Sequence, residues 1–292
     1  METIINYFET IPSLHRSIIL VGGLTLFWLL EGAVPLFKFN YKKWKHAIPN
    51  FFFTLTTILI NFGLAFLLLK TADWVKANDF GIINWMPEMP LWLYAFSGVL
   101  LLDFVGAYLA HYVEHQVKPL WMIHLVHHTD HKVDTTTANR HHPFESMIRF
   151  VFTLIGVLVV GTPIAIVFLY QSLSIVSTQF THANIKLPRR VDEVLSYVLV
   201  SPDMHKVHHH YRLPYTDSNY GNIFSIWDRI SVNLTPVSSL SAPYFIIAIY
   251  RSSFFIIDKN GEHLRDVCNS DFGRHLILVI SVLESGFRVE DV

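Results

Sequence analysis

Twelve of the chain's 17 histidines lie in two short stretches. The first, from His111 to His142, reads HYVEHQVKPLWMIHLVHHTDHKVDTTTANRHH, and the second, from His205 to His210, reads HKVHHH. His111 and His115 are spaced i,i+4. His124, His127 and His128 are spaced i,i+3,i+4, a pattern that His205, His208 and His209 repeat. On a helix these spacings stack imidazoles on one face, where neighbours can share a metal ion. Neutral imidazole suits iron, zinc, copper and nickel, so ligand type alone does not choose the metal. Number says more. Eight nitrogens are double what a four-coordinate structural zinc needs, and two metals with open positions are the economical reading. His182, in QFTHANI, offers a ninth nitrogen. His131 and His210 adjoin the clusters but fall outside the repeated spacing, which suits a supporting or solvent-facing role. His141 and His142 follow Arg140, and one of them orients a ligand rather than binding metal. His15, His46, His263 and His275 are isolated and read as surface or interfacial residues.

The elements that must position these residues are apolar. Hydrophobic residues make up 52% of the 292 and charged residues 15%, which is more apolar than a soluble globular average. A net charge of −1 gives no reason to expect nucleic acid as a partner. The single cysteine, Cys268, excludes an intrachain disulfide framework and a thiolate metal site. The N-terminus has neither a basic region nor a cleavage-site pattern and is read as retained. Runs at 17–37, 48–69 and 91–110 are each long enough to span a bilayer, which takes roughly 20 residues. Lysines 38, 42, 43 and 45 make the loop after the first run basic and hence cytoplasmic by the positive-inside rule. Two crossings later, His111 is cytoplasmic as well.

The next apolar stretch, 147–180, must return to the same side if both histidine stretches serve one site. Gly161-Thr162-Pro163 breaks it near the middle, where a helical hairpin can turn. The expected fold is therefore all-α: an integral membrane bundle of about four transmembrane helices, the last in two halves, with a cytoplasmic His-rich helical cap. Asp103 lies within the third run, on a roughly common i,i+4 stripe with Ala107, His111 and His115. An acid at that depth faces the bundle interior. Holding the second nitrogen of a ligand histidine is the role expected of it.

These residues resemble the fatty acid hydroxylase/sterol desaturase superfamily of integral-membrane oxygenases. The likeness rests on HxxxH at 111–115, HxxHH at 124–128 and HxxHH at 205–209. It extends to Asp103 and Tyr108, to LWMIHLVHHT and TTTANRHHPFE, and to SPDMHKVHHHYRLPYTDSNYGNIFSIWDRI, which looks most like a bacterial sterol-desaturase branch. It covers residues 90–230 strongly. The resemblance implies a non-haem di-iron centre, with zinc as a possible substitute, held by His111, His115, His124, His127, His128, His182, His205, His208 and His209. His142 stands as a further metal or supporting residue, and Asp103, Asn139, Arg140 and Asp217 as residues around the ligands. It also implies molecular oxygen as co-substrate and a lipid drawn from the bilayer, either hydroxylated or desaturated. Electrons would come from a cytochrome b5-, ferredoxin- or rubredoxin-like carrier with its reductase. The membrane would be a bacterial inner membrane, or the endoplasmic reticulum in a eukaryote. Two departures stand out. Tyr112 occupies a position that is commonly Arg, and Ile230-Ser231-Val232 replaces the usual Phe-Gly-Thr after the WDR motif. Residues 231–292 carry no family pattern and form a divergent tail, whether extension or altered reading frame.

Two other readings are weighed against this one. HYVEH at 111–115 formally matches HxxEH, the inverted zinc-protease motif, but that leaves six clustered histidines unexplained. A His-rich metal transporter or metal-binding protein would favour ligands inside the spans and an irregular loop, whereas these histidines keep strict helical spacing.

Overall fold

The computed structural model describes residues 1–211, 215–231 and 233–234. Their regular structure is helical, with no strand among the described residues, only the isolated bridges Pro35–Ile185 and Leu199–Phe224. A short amphipathic helix, α1 (Glu2–Glu9), precedes α2 (Ser13–Ala33) and α3 (Lys43–Ala77). The third run becomes one continuous rod: α4 (Leu91–Leu102), a π-helical segment (Asp103–Tyr108) and α5 (Leu109–Gln116). After α6 (Lys118–His128) and a 3-10 turn (Thr135–Asn139) come α7 (Pro143–Val160) and α8 (Ile164–His182). Three short helices follow: α9 (Arg189–Ser196), α10 (Pro202–His208) and α11 (Ile226–Ile230).

Among the described residues, five helices are long and apolar enough to cross a membrane: α2, α3, the 91–116 rod, α7 and α8. The two halves expected of the last crossing are thus two full-length helices. Their outer faces carry large apolar side chains, among them Leu29 (66% exposed) and Phe62 (82%), which only a lipid solvent would accommodate in such number. The α7–α8 turn depends on Gly161, whose φ of +85° is left-handed and whose Cα approaches Gly81 of the opposite loop. Pro163 then starts α8, where its missing N–H costs nothing.

Contacts sort the loops onto two ends. The basic loop after α2 reaches the residues that follow α8: Leu36 N–H donates to the Asn184 carbonyl and Lys186 N–H to that of Val34. This end also carries every clustered histidine. At the other end the 78–90 loop seals the hairpin turn, with Ile82 and Ile83 N–H donating to the carbonyls of Val159 and Val160. Between the two ends, Val99, Leu102, Val157, Ile166 and Val167 form a buried apolar core.

Glu31 accounts for much of the order at the histidine end. Its Oε1 accepts from Thr135 N–H at 2.6 Å and Asn184 N–H at 2.9 Å, while Oε2 pairs with Lys43 at 2.7 Å. One carboxylate thereby ties α2, α3, the 3-10 turn and the end of α8 together. Of the divergent tail, Asn233 donates to the Tyr108 hydroxyl at 3.0 Å. The alternating stretch at 244–257 and the rest of the tail lie outside the described residues.

Candidate metal centre

The nine histidines form two nitrogen clusters, and neither cluster corresponds to one sequence box. His111, His115, His124, His128 and His208 form the first cluster; His127, His182, His205 and His209 form the second. Within each, the nearest nitrogens lie within 4.8 Å of one another. The HxxHH spacing explains the split. Residues i and i+4 share a helix face, whereas consecutive residues are about 100° apart. His124 and His128 therefore turn to the first cluster and His127 to the second. In the last box the shares reverse: His208 joins the first cluster, and His205 with His209 the second.

Outer hydrogen bonds fix which nitrogen points inward. A carbonyl oxygen can only accept, so an imidazole nitrogen beside one carries the proton. Nδ1 of His111 donates to the Tyr220 carbonyl at 2.9 Å, and that of His208 to the Ser218 carbonyl at 2.7 Å. Nδ1 of His124 lies 2.7 Å from Glu145, and that of His115 3.2 Å from Asp217. The Nε2 lone pairs are thereby aimed into the cluster, and those of His111, His124, His128 and His208 are buried with no hydrogen-bond partner. Orphaned buried acceptors facing one another are costly unless a cation is shared among them.

In the second cluster His182 donates through Nδ1 to the Thr178 carbonyl at 2.8 Å. Its Nε2 meets those of His127 and His205 at 3.0 Å and of His209 at 3.2 Å. One lone pair cannot accept three hydrogen bonds. Nitrogens about 2.0–2.1 Å from a common ion would stand roughly 3.0–3.4 Å apart, so these residues fit a metal ion.

Electrostatics agree with ligation. Burial, reinforced by the neighbouring imidazoles, holds His124, His127, His128, His205 and His209 well below the usual imidazole range. Burial takes His208 down to about 4. Neutral imidazole is the form that binds metal. Lys206, whose ammonium donates to the His182 carbonyl, is lowered to about 8 by burial, with Glu31 and Asp134 opposing the shift.

The supporting residues divide. Asp217 reaches His115, but Asp103 does not reach a histidine. It accepts instead from Ile223 and Phe224 N–H, both at 3.2 Å, and from the Trp227 indole at 3.1 Å. The π-helical segment is the physical reason: its wider turn shifts every later residue, so an i,i+4 count from Asp103 to His111 no longer marks one face. Arg140 is buried and bonds the Val126 carbonyl at 3.0 Å, Asn50 at 3.0 Å and Thr129 at 3.1 Å, tying α6 to α3. Asn139 closes the 3-10 turn, its carbonyl accepting from His141 N–H. His142 caps α7 through Nδ1 to Phe144 N–H and lies in neither cluster. His141 is the neighbour that engages the site, stacking on His127 and donating to Glu145 at 2.7 Å. His46 is no isolated surface residue, since it bridges Asp130 at 2.8 Å and Asp134 at 3.1 Å.

Glu145, Glu114 and Arg149 were not singled out from the sequence as residues supporting the site. Arg149 pairs with Glu114 at 2.6 Å and with Glu145 at 3.1 Å, and both acids are fully buried. The available signal was position: acids bounding or inside apolar runs must find partners.

Residues 95–232, which carry all the clustered histidines, match the fatty acid hydroxylase family. Among characterised relatives it is similar to ornithine lipid hydroxylase OlsE of Rhizobium tropici, at 23% identity over 77% of this chain and 69% of that protein. Methylsterol monooxygenase 2-2 of Arabidopsis thaliana is 23% identical over 74% of this chain and 81% of its own length. Alkylglycerol monooxygenase of Xenopus tropicalis is 26% identical over 59% of this chain, which spans only 37% of that protein. No solved structure matches the chain. With its five long apolar helices the chain is a multi-pass membrane protein, and its likenesses are to lipid hydroxylases and monooxygenases.

Proposed function

We propose that this protein is a di-iron lipid hydroxylase that inserts oxygen into an unactivated C–H bond of a bilayer lipid. The observation that carries the reading is the pair of nitrogen clusters, with inward Nε2 lone pairs fixed by outer hydrogen bonds. Iron held by the five-histidine and four-histidine sets would supply the oxygen-activating redox chemistry. The chain's own share is positional. Glu145, Asp217 and the carbonyls of Tyr220 and Ser218 hold four imidazoles in one tautomer. Their burial keeps water and protons from the inward nitrogens. The relatives' names point to hydroxylation rather than desaturation. Ornithine lipids, alkylglycerols and methylsterols bracket the substrate class as a lipid with a polar end. Electrons would come from a separate carrier, and the basic loop at the histidine end supports a cytoplasmic side for that end.

The zinc-protease reading is disfavoured because Glu114, which would be its base, is tied to Arg149. Anaerobic iron reconstitution in nanodiscs tests the proposal, followed by addition of oxygen and mass spectrometry of a lipid extract. Two iron atoms per chain and an oxygen-dependent product containing one added oxygen atom are expected. Full turnover with one metal, or turnover without oxygen, overturns it.

A further inference from the structure

Residues that follow α8 reach further from the histidine end than a surface cap would. Asn222 donates to Ser174 at 2.7 Å and accepts from Thr178 at 2.8 Å. Ser174 lies eight residues before His182, so Asn222 sits about 12 Å below the histidine level at 1.5 Å per helical residue. A second helix gives the same depth. Asp103, which receives Ile223 and Phe224 N–H, lies eight residues before His111. Measured from the other end, Ser174 and Asp103 are about 15 and 18 Å from the starts of their helices. That is near the middle of a hydrocarbon core about 30 Å thick. Phe224 also packs edge-on against Phe96, deeper still along α4, with ring centroids 6.2 Å apart.

Helix α9 descends to this level. Its approach begins at Ile185 and Lys186, which pair with Pro35 and Val34 just past the end of α2. Beyond its C-terminus, Val200 N–H donates to the Ile223 carbonyl and Ser225 N–H to that of Val198. Arg229 of α11 bonds the Ser196 carbonyl and lies over the Tyr197 ring at 4.8 Å. The outward side of this unit is apolar: Val194, Tyr197, Val198 and Ile230 are each 59–70% exposed. Its fully exposed charges collect at the shallow end, where Lys186, Arg189 and Arg190 are exposed and Glu193 is neutralised by Arg189 at 2.8 Å, while Asp228 and Arg229 of α11 are buried and half-buried.

We propose that α9 and α11 form a re-entrant lip immersed in the histidine-side leaflet. Its apolar face packs on lipid acyl chains, and Lys186, Arg189 and Arg190 meet anionic headgroups. An apolar side with its exposed cations at one end, and the deeper Arg229 turned onto the Ser196 carbonyl and the Tyr197 ring, is what a half-inserted element requires. The lip runs directly into α10, the short helix that carries His205 and His208 and ends at His209. The inference rests on the membrane reading of the five long helices and not on the identity of the metal.

Nitroxide labels placed at Val194 and at Ile230, one at a time in a Cys268→Ser background, test it in nanodiscs of phosphatidylcholine and phosphatidylglycerol. Phe62 serves as the lipid-facing control and Lys118 as the aqueous one. Collisions with oxygen should exceed those with a water-soluble nickel chelate at both positions, as at Phe62. Nickel-dominated collisions, as at Lys118, would place the unit in water and overturn the lip. An immobilised label shielded from both reagents would put protein rather than lipid on this face, which also overturns it. Nickel access at Phe62 itself would instead remove the membrane reading beneath.

Discussion

The two histidine clusters differ in what stands behind them. In the first, four of five imidazoles are backed by a carboxylate or carbonyl that fixes the ring and its tautomer. In the second, among the described residues, only His182 has such an anchor, while Nδ1 of His127, His205 and His209 is buried with no hydrogen-bond partner. Ligand basicity and orientation both depend on those outer bonds. Two sites built from the same residue type and helical spacing should therefore differ in how firmly they hold a metal. The first is preorganised, and the second depends on the ion to complete it.

The comparison breaks most directly at His208. His208→Ala should lower metal content from two ions to one and abolish turnover, because the anchored neighbours cannot shift to fill the gap. Loss of both ions would mean that the clusters are one cooperative unit. Next in size is the order of metal release. Against a competing chelator the wild-type protein should lose the second-cluster ion first. Glu145→Gln, which strips the anionic partner from His124, should weaken the first cluster about 10–100-fold and narrow or invert that order. Simultaneous release in both proteins would erase the distinction.

Smaller effects belong to residues outside the clusters. Asp103→Asn turns a donor toward the Phe224 N–H and Trp227 indole, leaving buried groups poorly matched, at a cost of about 1–3 kcal/mol. Thermal unfolding in detergent should shift down while both ions remain. Metal loss with unchanged unfolding would show that Asp103 acts on the site after all. His210→Ala should be the mildest, keeping both ions and most turnover, since His210 stacks on Tyr211 and meets Tyr215 edge-on outside both clusters.

Much of this organisation was legible in the chain. Regular spacing picked out eight histidines, because helical periodicity converts sequence distance directly into direction. The hairpin at 147–180 followed from Gly161 and Pro163 together with the demand that both stretches share a side. The division of each HxxHH box between two clusters was not legible, because it depends on where neighbouring helices pack. Asp103 was misjudged for a definite reason: a π-helical segment cannot be seen in a pattern counted at 3.6 residues per turn. His46 looked isolated because its partners, Asp130 and Asp134, lie more than 80 residues away in sequence. Glu145 was visible in the quoted HHPFE string, but its partnership with His124 spans a turn and a change of helix direction.

The hairpin turn at Gly161 bears on the metal clusters as a matter of mechanics. A Cβ on Gly81 would stand 2.3 Å from the Gly161 Cα, so the loop and the turn are clamped backbone to backbone, with no side chain between them to yield. From that clamp α7 runs back 16 residues to Glu145, a lever arm of about 24 Å. Holding a ligand set to within about 0.5 Å at the end of such an arm requires the angle at the pivot to be held to about one degree. The bulkiest residue tolerated at position 81 or 161 is thus a measure of the angular precision that the distant nitrogens demand.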